Sequence, residues 1–90
     1  MVSPMVFKFL VVTYVAFKKS SLLVRSLDDV IYTVDTEGDS GYTVTSTLGD
    51  GELWRSLDEL IGYSMIKLDR VLEISRVTRD EPVKALWRKD

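Results

Sequence analysis

From Val30 to Leu48 the chain reads VIYTVDT, then EGDSG, then YTVTSTL. Two runs of β-branched and aromatic residues around a loop of Gly, Asp and Ser spell a β-hairpin, with Gly38 and Gly41 able to take the positive φ angles of a tight reversal. An antiparallel pair cannot stand alone in water. Further strands or a helix must cover one of its faces. In ninety residues there is room for one core, so the chain is read as a single domain, residues 1–90, with a loose N-terminus at 1–4 and a partly ordered tail at 80–90.

The apolar N-terminal segment MVFKFLVVTYVAF at residues 5–17 is rich in Val, Phe and Tyr. Val6, Leu10, Val12 and Tyr14 alternate with Phe7, Phe9, Val11, Val15 and Phe17, so both faces are apolar, as in a long central strand. Its uninterrupted part, FLVVTYVAF, is nine residues long and too short for a membrane span. Lysines follow it where a signal peptide would have a cleavage site. No membrane partner and a cytoplasmic setting are therefore expected. KKSS at 18–21 then makes a turn and LLVR a short second strand.

RSLDD at 25–29 and RSLDE at 55–59 look like a repeat, but their sequels differ. The first leads into the hairpin. The second follows the breaker LGDG, and Ser56 stands three residues before Glu59, the spacing of a capping box. Leu57, Leu60, Ile61, Met65 and Leu68 follow at helical spacing, predicting the one substantial helix over 57–66. VLEISRV at 71–77 alternates Val71, Glu73, Ser75 and Val77 against Leu72, Ile74 and Arg76, a half-buried strand. The expected architecture is α+β: an antiparallel sheet of four or five strands with one helix packed on one face.

Chemistry finds little to work with. Cysteine and histidine are both absent, which removes disulfides, thiolate nucleophiles, the commonest general base and the commonest transition-metal ligand. Asp28, Asp29, Asp35, Glu37 and Asp39 gather around the hairpin, but DTEGD lacks the ligand spacing of a calcium loop and reads as a solvated turn. Asp58 and Glu59, adjacent on a helix, diverge and make no acid/base pair. Twelve basic residues against fourteen acidic ones lack the basic excess of a nucleic-acid binder. No catalytic residue, metal ligand or cofactor is assigned, and nucleic acid is disfavoured as a partner.

From the hairpin onward, the order strand, Gly-rich turn, strand, SLDELI, loop, LEISRV resembles small bacteriophage proteins that inhibit host RNA polymerase, over roughly residues 30–80. In that family an acidic-capped helix of the type TLDEAL precedes a strand of the type FEVTRVR. The matching residues are Ser56, Leu57, Asp58 and Glu59, then Glu73, Ile74, Ser75, Arg76 and Val77. The resemblance implies that Arg76 is presented to a polymerase. The pattern's second arginine is replaced by Thr78, with Arg79 one step later.

The expected function is accordingly non-enzymatic: a protein-binding module of the phage modulator kind, or alternatively a self-associating structural domain, a homodimer through its doubly apolar first strand. The partner-binding candidates are Arg76, Arg79, Trp87 and Arg88 in EISRVTRDEPVKALWRKD, since Arg and Trp are the usual anchors of protein interfaces.

Overall fold

The computed structural model describes all of residues 1–90. It is α+β with six strands in one antiparallel sheet: β1 (Ser21–Ser26), β2 (Ile31–Thr36), β3 (Tyr42–Ser46), β4 (Gly51–Trp54), β5 (Val71–Val77) and β6 (Lys84–Arg88). Their spatial order is β4-β3-β2-β1-β5-β6. The first four strands form a meander. The chain then passes through a short helix, α2 (Leu57–Tyr63), and returns to pair β5 with the free edge of β1.

The sheet is thus larger than the four or five strands expected, because the tail forms a sixth. The hairpin of β2 and β3 forms where its sequence places it, with Val34 paired to Val44 and a single 3-10 turn at Gly38–Ser40 between the strands. LLVR lies at the centre of the sheet, flanked by β2 and β5.

The N-terminal segment is a helix, and this corrects the central-strand expectation. It runs as α1 (Pro4–Leu10) and continues in π-helical winding over Val11–Phe17. Ser3 caps it, its Oγ accepting from the Val6 amide at 3.1 Å, and Pro4 occupies the first turn, where a missing N–H costs nothing. Val2 and Phe7 occupy the two positions of a hydrophobic staple, and both are buried. Val2 and Ser3 thus lead directly into the helix that starts at Pro4. Phe7, Leu10, Val11, Tyr14 and Val15 repeat at the i, i+3, i+4, i+7, i+8 spacing of a helix lying on a core. Packing that stripe outweighs the strand preference of the valines.

The winding ends at Lys18, whose amide bonds the Thr13 carbonyl at 3.1 Å, followed by Lys19 with φ of 58°. Residue 19 turns the chain back over the helix into β1.

α2 is the second helix, not the only one. Ser56 Oγ accepts from the Glu59 amide at 3.1 Å and donates to the Glu59 carboxylate at 3.0 Å. It stops at Tyr63 rather than near 66, because buried Ser64 turns extended and its Oγ accepts from the Ile66 amide. Ile66 is thereby delivered to the core. Of the repeated peptide, Arg25 and Ser26 close β1 and Leu27 to Asp29 form a turn, with Asp29 at φ of 63°. The same four residues thus end a strand in one place and start a helix in the other.

Both helices lie on one face of the sheet. Leu22 and Val24 of β1, Val34, Val44, Ile74 and Val71 meet Phe7, Leu10, Val11, Val15, Leu57 and Leu60 in a single core. The opposite sheet face carries the row Thr45, Thr33, Leu23, Ser75 and Ala85, read across the strand pairings. No helix covers it; Thr45 and Ala85 are exposed and Thr33 and Leu23 partly so, while Ser75 is buried.

Candidate docking surface

The four residues expected to meet a partner do not share a surface. Arg76 is paired directly with Leu22, so its side chain emerges on the helix-covered face, and it is only 9% exposed. Its guanidinium bonds the Glu81 carboxylate at 3.0 Å and the Pro82 carbonyl at 3.2 Å, both from the turn between β5 and β6, while Nε is buried without a partner. Trp87 pairs with Ile74 on the same side and packs half-buried against the core. Arg88 projects from the other face, where Nε and Nη2 both reach Glu73 Oε2, at 2.8 and 2.5 Å, and Arg25 approaches the other oxygen of that carboxylate at 3.8 Å. Arg79 stands exposed in the turn. A strand puts successive side chains on opposite faces, so nearness in sequence did not make a strip.

The acidic residues around the hairpin are dispersed in the same way. Asp28 pairs with Arg70 and Asp35 accepts from Ser21, on different strands' ends. Glu52 is used structurally: one oxygen accepts from the Trp54 indole and from the Met65 amide, both at 3.0 Å, pinning the chain after α2 to β4. A concavity of about 370 Å³ between Asp39, Ser40, Leu53 and Arg55 is open and has a single apolar residue in its lining.

The outer side of the N-terminal helix carries several exposed apolar side chains. With Phe7, Leu10, Val11 and Val15 turned inward, other apolar residues face solvent: Met5 is 81%, Phe9 64% and Phe17 80% exposed, with Val12 beside them and Val6 exposed at 40% to one side. The π winding matters here. In a regular α-helix Phe17 would sit about a third of a turn away from Met5, whereas five-residue hydrogen-bond spacing over the second half widens each turn to roughly 4.4 residues and brings Phe17 back into line with Met5. Thr13 and Ala16, half-exposed, complete the face. Its cations are drawn aside: Lys8 Nζ reaches Asp58 of α2 at 3.2 Å, and Lys18 Nζ lies 5.2 Å from the centre of the Tyr14 ring. The row Met5, Phe9, Val12 and Phe17 itself holds no charged residue, and the lysines flank it. Isolated exposed hydrophobic residues are ordinary, whereas several gathered along one helix form a patch.

Sequence reasoning passed over this face because it read the segment as a strand. The signals were present in Ser3-Pro4, a cap and first-turn pair, and in the i, i+3, i+4 recurrence from Phe7 to Val15. A helix carrying one apolar stripe inward shows its surplus hydrophobic residues outward.

No helix of the protein is long and apolar enough to cross a membrane. No family model matches the chain, no curated protein is significantly similar to it, and no solved structure matches it.

Proposed function

We propose that this protein is a small non-enzymatic binding module that engages another protein chain through the outer face of its N-terminal helix. The supporting observation is the exposed stripe of Met5, Phe9, Val12 and Phe17, free of uncommitted charge and carried on a helix whose other side is anchored in the core. An amphipathic helix face with anchors at i, i+4 and i+7 is a standard recognition surface for a groove or a second helix. Rigid anchoring lowers the ordering entropy that binding would otherwise cost.

The narrower reading, a phage-type modulator of a host protein such as RNA polymerase, rests on the SLDE and EISRV resemblance. On this geometry Arg76 is engaged by Glu81 and Pro82, so such a contact would fall to Arg79 and to the helix face. The test is site-specific photocrosslinking in bacterial cells, with a benzophenone amino acid at position 9 and, as a control, at the exposed position 48 on the β3–β4 turn. A discrete protein adduct from position 9 and none from position 48 is expected. Equal labelling at both, or adducts at neither, would remove the helix face as the docking surface.

A further inference from the structure

We infer that the occupant of this helix face is a second copy of the same chain, docked antiparallel about a two-fold axis that passes the helix near Val11; the inference rests on the docking reading above and names its partner. A two-fold interface must be complementary to itself: what residue i offers, its opposite number must accept. The stripe meets that condition. Met5 and Phe17 lie six residues to either side of Val11, and Phe9 and Thr13 lie two residues to either side. Antiparallel apposition therefore sets Met5 of one protomer against Phe17 of its partner, a thioether against a ring, and sets the large Phe9 against the small Thr13. Because the π winding is what aligns Phe17 with Met5, it is also what makes the row self-complementary.

Charge agrees with this choice of occupant. A helix waiting for an acidic surface would hold its lysines free along the rim of the stripe, but Lys8 is paired with Asp58 and Lys18 is laid over Tyr14 of the same chain. Both lysines keep their charge but are held to the flanks by these contacts, so the rows that would meet carry none. The area is adequate as well. Met5, Phe9, Val12 and Phe17 with the half-exposed side chains beside them present roughly 500 Å² per protomer, or about 1,000 Å² in the pair, below the roughly 1,200 Å² of stable interfaces and in the range of weak, transient ones. A reversible dimer follows, with dissociation expected at micromolar concentration rather than an obligate one.

The absence of native cysteine permits a register test. Met5→Cys and Phe17→Cys are prepared as separate variants and oxidised singly and as an equal mixture, alongside sedimentation equilibrium of the unaltered 10.3 kDa chain from about 1 to 500 μM. The expected results are a rise toward twice the monomer mass with concentration, disulfide-linked dimer in the mixture, and at most one tenth as much in either variant alone. Phe9→Asp should raise the dissociation constant at least 100-fold, whereas Leu48→Asp, on the distant β3–β4 turn, should leave it unchanged. A mass that stays monomeric throughout, a dimer indifferent to Phe9→Asp, or cross-linking of the single variants as efficient as the mixture would overturn the antiparallel pair. A monomer whose position 9 still cross-links a different protein in cells would overturn the second copy alone and leave the helix face as the docking surface.

Discussion

Gly41 shows how a single residue can be fixed by its neighbours rather than by its own turn. Its φ is 120°, and a Cβ placed on it would lie 2.1 Å from the Trp54 carbonyl oxygen and 2.8 Å from the Arg55 Cα. Both obstacles are backbone, so nothing flexible can yield. Gly38, three residues earlier, has φ of 65° but nothing within 4 Å of the same position. Gly41→Ala should lower stability by about 3 kcal/mol or more, combining strain with a clash inside β3–β4, and Gly38→Ala by about 1 kcal/mol, the ordinary left-handed penalty. Chemical denaturation of the two variants side by side checks the difference. Arg76 makes the opposite case. Its guanidinium is enclosed with one nitrogen unsatisfied, and its carboxylate partner, Glu81, is well exposed and can return to water. Arg76→Met should therefore change stability by no more than about 1 kcal/mol in either direction. A loss near 4 kcal/mol would mean that the pair with Glu81 holds the β5–β6 turn in place.

At the scale of elements, the two helices start by the same device. Ser3 and Ser56 each accept from the amide three residues on, at 3.1 Å. Ser56→Ala should cost about 1 kcal/mol, the ordinary value of a serine cap. Ser3→Ala should cost a similar amount, less whatever the Val2 and Phe7 staple retains. Equilibrium unfolding measures both, and no loss at either position would remove the cap from the account of that helix. The N-terminal helix is the more consequential element because it supplies Val2, Phe7, Leu10, Val11 and Val15 to the core while showing its other side to solvent. Phe7→Ala, at a side chain with no exposure, should cost about 3–5 kcal/mol, whereas Phe9→Ala, two residues along and outward, should change stability little and affect association instead. That contrast separates the folding side of the helix from its docking side.

The whole molecule is one sheet with one covered face, so its stability is expected to be held in common. β1 is enclosed by β2 and β5, while β4 and β6 are the sheet's edges. Native-state hydrogen exchange should find the slowest amides in β1 and β5 and the fastest in β4 and β6, whose outer edges have no neighbour to pair with. Charges on Lys84 and Arg88 blunt the β6 edge, and β4 is only four residues long, two common protections against edge-to-edge aggregation.

The hairpin, the capped second helix and the strand VLEISRV were legible in the chain because each is written locally. Gly between β-branched runs, Ser three residues before Glu, and strict alternation all act over a few residues and need no distant partner. The absence of Cys and His was equally plain in its bearing on chemistry. The N-terminal segment was not settled by its residues alone, since apolar groups on every side satisfy a buried strand and a half-buried helix equally. Tertiary structure decided it: with β1 to β6 forming the sheet, the segment's place was on top, where a helix can bury Phe7, Leu10, Val11 and Val15 together and a strand would have no neighbour to bond. The same decision fixed the surface. Trp87 and Arg88 are adjacent in sequence, but pairing register sends them to opposite faces, and Arg76 is enclosed on the helix-covered side, whereas Met5, Phe9 and Phe17 become one face only because a particular winding carries them there.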